Sequence, residues 1–401
     1  MIDYDKVLSN KIKNVKPSGI RKFFDIAATM EGVISLGVGE PDFSTPWVIR
    51  NAAIKVLERK QVVYGPNLGI APLREAISNR LKKKHGVEYA PANQIIVTVG
   101  GSEAIDLAVR GIIDSGDEVL IVEPCFVCYA PLVELAGGVA VPIPTRIENN
   151  FKLTVDDLKD KVTERTKLLI LPFPNNPTGA LYSDEILKEI VEIARQNDLI
   201  LFADEIYDRL VMDGLTHTAL ASLAPDVPCV SFNGLSKSHR VAGFRVGWMV
   251  ISGDKKKIKG YIEGLNLLSS MRLCSNVPAQ SIVQTALGGI QSVDELLLPG
   301  GRIYEQREFV YNALCEIDGI SVVKPKAAFY IFPKLDAKKF NLHDDEKLVL
   351  DFLKAKKVLL MHGKGFNYPT PDHLRIVYLP RRRILGEAME SFKDFLADYK
   401  Q

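Results

Sequence analysis

The sequence predicts an α/β fold: a large domain built on a mostly parallel seven-stranded sheet, with a smaller α+β domain attached. Three observations predict it. Short apolar runs alternate with amphipathic helical segments through most of the chain. Most of those runs are apolar throughout rather than alternating, which is how strands read when helices cover both sheet faces. The last hundred or so residues then change character. A chain of 401 residues also exceeds the size at which one hydrophobic core keeps growing. The expected division is 46–290 for the large domain and 291–401 for the small one, and fold-level analogy adds 1–45 to the small one.

The expected strands, in order, are Ile95–Val99, Glu118–Glu123, Gly138–Ile143, Lys167–Phe173, Leu199–Asp204, Cys229–Asn233 and Val246–Ile251. Among the helices between them, SDEILKEIVEIARQN opens with Ser183 as N-cap and has acidic residues in its first turn. Its Ile186, Ile190 and Ile193 share one face. Beyond the sheet, helical EQREFVYNALCEI leads into strand-like GISVVKP and AAFYIFPKL, then strand-like LRIVYL and the amphipathic ILGEAMESFKDFLADY. On such sheets ligands sit beyond the carboxyl ends of the strands, so the chemistry is sought there.

Bulk composition excludes several functions. A net charge of +2 from 51 basic and 49 acidic residues, mixed along the chain, supplies no basic face for nucleic acid. Lys82–Lys84 and Lys255–Lys257 read as solvated helix ends or loops. No apolar run approaches the ~18 residues that span a bilayer, so no membrane partner is expected. The polar start MIDYDKVLSNKIKNVK is not a secretory leader. Five cysteines, an odd and low number, point to the reducing cytoplasm. Cys125 and Cys128 form a lone CxxC, read as small packing residues beside a cleft. The six histidines show no metal-ligand spacing, so no metal is expected, and His239 reads as structural.

Four strand ends carry polar residues that an apolar core would not place there. After IIVTV, the run GGSEAIDLAVRGII offers two glycines, Ser102 and a helix whose N-terminus favours an anion, although a plain turn fits as well. No GK[ST] or GxGxxG follows, which removes a Walker loop and a dinucleotide-binding dehydrogenase. After KLLILPF, PNNPTG sets Asn175 and Asn176 before a proline, where a turn is the bland alternative. Asp204 closes an apolar strand and must find a donor or a cation, unless it merely caps a helix. After CVSFN, Lys237 stands between Ser236 and Ser238, eight residues before Arg245. A neighbouring cation and partial burial would make its amine nucleophilic enough for a Schiff base.

The order of these motifs is more specific than any one of them. NPTG, ADEIY 28 residues after its asparagine, and SKS-x6-R with its lysine 33 residues after the aspartate resemble class I/II aminotransferases, fold-type-I pyridoxal-phosphate enzymes. ISLGVGEPDFSTP, YGPNLGIAPLREAI and HLRIVYLP extend the resemblance over essentially the whole chain. It implies pyridoxal 5'-phosphate bound as a Schiff base on Lys237, with Asp204 against the pyridine nitrogen. It implies Tyr207 and Asn176 at the ring's phenolic oxygen and Phe126 stacked on the ring. Gly101, Ser102, Ser236 and Arg245 hold the phosphate, with Tyr64 reaching in from the second subunit of a homodimer. Arg375 grips the substrate carboxylate, helped by Gly39 and Asn176. Each role has a reason: a carboxylate keeps the ring nitrogen protonated, a freed amine moves a proton, and a planar guanidinium donates two parallel bonds.

From about Leu181 onward, motifs such as FNGLSKSHRVAGFRVGWMV, PGGRIYEQR and FPKLDAKKFNLHDDEKLVLDFL resemble the bacterial glutamate–pyruvate (alanine) aminotransferases. The first 180 residues are more similar to aspartate and aromatic aminotransferases. The alanine enzymes carry tyrosine-x-isoleucine-arginine near their N-terminus; here Arg21 is present and Ser18 replaces the tyrosine. The resemblance favours L-alanine and 2-oxoglutarate as substrates, with aspartate or an aromatic amino acid as alternatives. A C–S lyase or decarboxylating synthase on the same fold, and a non-catalytic aminotransferase-like sensor, stand further off.

Overall fold

The structure, a computed structural model, describes residues 4–15, 19–59, 62–289 and 292–401. Ser18 and the expected domain boundary between 290 and 291 lie outside the described residues. Helices α1 (Arg21–Ala28), α2 (Trp47–Glu58) and α3 (Ala71–His85) precede the main sheet. The sheet has seven strands: β1 (Ile95–Thr98), β2 (Glu118–Glu123), β3 (Val139–Pro144), β4 (Thr166–Pro172), β5 (Ile200–Asp204), β6 (Cys229–Gly234) and β7 (Gly247–Ser252). Each expected strand is present, with ends shifted by at most a residue. Their spatial order is β1-β7-β6-β5-β4-β2-β3. All pairings are parallel except those of β7, which runs against both β1 and β6. β7 returns beside β6 after the segment 235–246 that carries Lys237 and Arg245, and pairs with it antiparallel.

Covered faces explain the apolar runs. Within β2, Leu120 and Val122 pack with residues of α3 and of α6 (Asp184–Gln196). Val119 and Ile121 face the other way, against α4 (Gly101–Arg110), α5 (Tyr129–Ala136) and α7 (Lys255–Arg272). Each such leucine, isoleucine or valine, removed from water on both sides of the sheet, contributes about 1.5–3 kcal/mol. In α6, Ile190 and Ile193 are buried as expected, but Leu187 takes the core position and Ile186 is half-buried. Ser183 stands at the N-cap, yet its hydroxyl makes no capping bond to the backbone.

The remaining core joins the chain's two ends. Phe23 of α1 and Leu36 pack with α8 (Arg302–Cys315), α9 (Asp345–Lys356) and α10 (Arg382–Asp398). Ile34 and Ser35 pair in parallel with Val358 and Leu359. Strands here are shorter than their sequence suggests: AAFYIFPKL yields only Tyr330–Ile331 (β8) and Lys334–Leu335, separated by Pro333, which cannot donate to a ladder. β8 pairs with β10 (Leu374–Val377), which also carries β9 (Met361–His362). Phe151, Tyr207, Leu210 and Met212 enter the same cluster, so this core is continuous with the segment that follows β5.

Two lysine runs depart from expectation in part. Lys82–Lys84 do end α3, but Lys84 forms an ion pair with the half-buried Asp208 rather than standing only in solvent. Lys255–Lys257 open α7 behind the Asp254 cap, and Lys257 pairs with Asp198. Among the described residues no helix is long and apolar enough to cross a membrane. No group of three or more metal-ligating side chains is found there either.

Candidate active site

Five strand ends meet at one cavity of about 240 Å³ on the carboxyl edge of the sheet. β1 delivers Gly101 and Ser102, β2 delivers Phe126 and Tyr129, and β4 delivers Asn176. β5 ends in Asp204, and β6 leads to Ser236, Lys237 and, past a tight loop, Arg245. Parallel strands put all these connections at one edge, which is why residues spread over 145 positions share a wall.

Asp204 is buried and lines the cavity. No helix follows it; the Ile206 N–H donates to Oδ1 at 3.2 Å, and the Tyr129 hydroxyl donates to Oδ2 at 2.6 Å. Burial holds the carboxyl above the ordinary carboxylate range, opposed by those two bonds. Both donors are neutral, and no ion pair to Asp204 is present among the described residues. A buried acid arranged in this way suits a cationic N–H arriving from the cavity.

The same cavity carries a candidate anion cradle. Gly100 takes φ 80 and precedes α4, whose first residues Gly101 and Ser102 line the cavity. A Cβ on Gly100 would lie 2.3 Å from the Arg245 guanidinium, and one on Gly247 would lie 2.5 Å from the Gly101 nitrogen. Only glycine allows this approach of β7 and the Arg245 loop to the helix start. Arg245 itself takes φ 53 and donates to the Ala242 carbonyl at 3.0 Å, with no carboxylate partner among the described residues. Ser236 completes this side.

In the same cavity the Lys237 amine donates to the Gly39 carbonyl at 2.7 Å and lies 6.0 Å from the Tyr207 ring centroid. Tyr207 is buried, with its hydroxyl 2.8 Å from that of Tyr330. Phe126 forms part of the wall, its ring edge-on to Tyr129 at 6.0 Å. The two asparagines divide the expected roles. Asn175 closes the turn, its Oδ1 accepting from the Thr178 N–H at 3.1 Å and hydroxyl at 2.9 Å. Asn176 faces the cavity and accepts from Arg375 at 3.0 Å. Arg375 also donates to the Gly37 carbonyl and lies between the Tyr330 and Phe366 rings, 4.7 and 4.5 Å from their centroids. Its Nε is buried without a partner among the described residues.

Asp204, Lys237 and Arg245 thus share one cavity, and Arg375 reaches it through Asn176. Two expected residues lie elsewhere in the single chain. Tyr64 is 83% exposed, and Arg21 is exposed at the start of α1, outside the cavity lining. His239 is bonded to Ser238 at 2.8 Å, away from the lining. Sequence reasoning missed Tyr129 and Tyr330. Tyr129 lies three residues beyond Phe126 and Tyr330 within AAFYIF, but aromatic residues in apolar surroundings read as core packing. The demand of Asp204 for a donor was the only available signal, and it did not say which residue answers it.

The family model for aminotransferase class I and II matches residues 31–390. The chain belongs to the class I and II aminotransferases. This aminotransferase is 49% identical over 372 residues, 92% of each chain, to the glutamate-pyruvate aminotransferase AlaA of Haemophilus influenzae. A crystal structure of an aminotransferase from Escherichia coli superposes with a TM-score of 0.94 at 44% identity, covering 98% of this chain and 99% of the other. The aspartate aminotransferase of Thermotoga maritima does so at 0.88 and 30% identity, covering 98% and 100%. Enzymes of this family and fold use pyridoxal phosphate. The donor set fits that group: a buried acid for the ring nitrogen, an anion cradle for the phosphate, and an amine, all lining one cavity.

Proposed function

We propose that this aminotransferase moves the amino group of L-alanine to 2-oxoglutarate, with pyridoxal phosphate carried on Lys237. The observation that carries the alanine reading is the 49% identity, over 92% of both chains, to an enzyme named for glutamate and pyruvate. In this reading Asp204 would pair with the ring nitrogen, and Tyr207 and Asn176 would donate to the phenolic oxygen. Phe126 would cover the ring face. Gly101, Ser102, Ser236 and Arg245 would hold the phosphate. When bound, the cofactor supplies an electron sink for the Cα–H bond of the amino acid.

The protein supplies binding, orientation and the proton path. Arg375 presents a planar fork to the substrate carboxylate, and its two aromatic walls exclude water from that contact. Asn176 links this arginine to the cavity, so carboxylate binding and ring position are set together. Once free, the Lys237 amine would accept the proton released at Cα as base and give it up again as acid. Gly39 is the amine's present acceptor and leaves no room for a side chain: its Cβ would lie 2.1 Å from the Tyr330 hydroxyl.

The working unit in this reading is a homodimer to which Tyr64 contributes across the interface. The exposure of Val62, Val63 and Tyr64, with Trp47, Val48 and Leu57 on and beside α2, supports such a covered face. Residues 46–290 form the cofactor-holding domain, and 1–45 with 291–401 form the domain that brings Arg375. Five cysteines outside any disulfide accord with a cytosolic location. The test is a panel of amino donors with 2-oxoglutarate, reading glutamate and ammonia. Alanine should lead without ammonia release; a stronger rate with aspartate, or ammonia as product, would replace the reading.

A further inference from the structure

We infer that Tyr330 is a positioning residue of the reaction: its hydroxyl donates to Tyr207 and thereby commits the single Tyr207 proton to the cofactor's phenolic oxygen. The inference rests on the proposed cofactor reading. Two hydroxyls 2.8 Å apart share one hydrogen bond, and either oxygen is placed to be the donor. Were Tyr207 to donate to Tyr330, it would have no proton left for the ring oxygen. Tyr330 has no such competing duty. Its hydroxyl is confined over the Gly39 Cα, where even a methyl group would lie 2.1 Å away. Its ring is held against the Arg375 guanidinium at 4.7 Å. It is 1% exposed, so water is excluded from the pair.

One side chain thus touches the group expected to hold the cofactor oxygen, the segment expected to bind substrate, and the arginine expected to grip the carboxylate. Donation into the Tyr207 oxygen polarises its O–H bond and makes it a stronger donor, since linked hydrogen bonds reinforce one another. A stronger donor to the phenolic oxygen withdraws charge from the ring and lowers the basicity of the conjugated nitrogen on Lys237. The charged groups facing the pair are Arg375 on the Tyr330 ring, Lys237 over the Tyr207 ring, and Asp204. All three are left in place by a Tyr330→Phe substitution, which keeps the ring and removes only the hydroxyl.

The experiment is a pH titration of the visible absorbance of the cofactor-loaded protein for wild type, Tyr330→Phe, Tyr207→Phe and the double variant. Tyr330→Phe should raise the titration midpoint by about half a pH unit, a fraction of the effect of a whole hydrogen bond. Tyr207→Phe should raise it further, and adding Tyr330→Phe to Tyr207→Phe should change nothing more. KM for 2-oxoglutarate should stay near wild type in Tyr330→Phe while kcat falls, because the Arg375 stack survives. An unmoved midpoint in Tyr330→Phe, or an equal shift in the Tyr207→Phe background, overturns the inference. If Tyr330→Phe fails to fold, Tyr330→Leu removes the donor with a different apolar side chain, and a midpoint between those of wild type and Tyr207→Phe supports the role while a wild-type midpoint overturns it. Absence of any visible band in the wild type would instead overturn the cofactor reading.

Discussion

Removing the hydroxyl of Tyr129 isolates one bond to the most buried acid of the site. Tyr129→Phe keeps the ring packed against Phe126 and deletes the 2.6 Å bond to Asp204. A hydrogen bond to a charged group contributes about 1.5–3 kcal/mol, and a neutral pair about 1 kcal/mol. The ionised form therefore loses about 1 kcal/mol more than the protonated form. The Asp204 carboxyl should therefore rise further above its ordinary value. The sign follows from its present direction. Burial already holds this acid above its ordinary value, so between the two values the folded protein binds a proton that the unfolded chain lacks. Stability is then greatest below the ordinary carboxylate range and falls as pH rises through the folded value. The variant should extend that fall to higher pH. Denaturant unfolding of the cofactor-free protein across pH is the assay. The expected loss is about 2 kcal/mol at pH 8, shrinking as acid protonates Asp204. A loss of the same size at every pH would mean that Tyr129 only packs, and would refute the reasoning.

Other outcomes follow from single contacts. Lys237→Ala should abolish both the visible cofactor absorbance and nearly all turnover; retention of both removes the lysine from its role. Arg375→Lys keeps the charge but not the fork, so kcat/KM for both substrates should fall by roughly 100-fold with cofactor affinity unchanged. Equal loss of cofactor affinity would contradict this. Gly39→Ala should push Tyr330 off Arg375 and lower kcat/KM by a comparable factor, checked by steady-state kinetics. Glu123, buried beside Asn367, is raised to about 7 by desolvation, which corresponds to roughly 3 kcal/mol relative to an ordinary glutamate. Its contribution is present at low pH and lost as pH rises through about 7, so Glu123→Gln should be near neutral at pH 5 and stabilising at pH 8. Thermal midpoints at the two pH values decide it.

The local pattern of the chain was enough for the sheet. Runs such as KLLILPF and EVLIVE are short, apolar throughout and rich in branched residues, which is how strands covered on both faces read. Asn176, Asp204 and Lys237 were equally legible, since each stands at or just beyond the end of a strand among small or polar neighbours, and Arg245 follows Lys237 by eight residues. What sequence could not decide were contacts closed between segments with no fixed spacing. The bond between Tyr129 and Asp204 spans 75 positions, that between Tyr207 and Tyr330 spans 123, and Arg375 meets Asn176 across 199. An aromatic in an apolar run carries no mark that distinguishes packing from donation. The reversal of β7, the sharing of work between Asn175 and Asn176, and the exclusion of any side chain at Gly39 arise only when the strand ends converge. Sequence fixes which chemistry is carried because local propensity and burial pattern are short-range properties; tertiary structure fixes which hydroxyl answers which acid because that depends on distances between elements far apart in the chain.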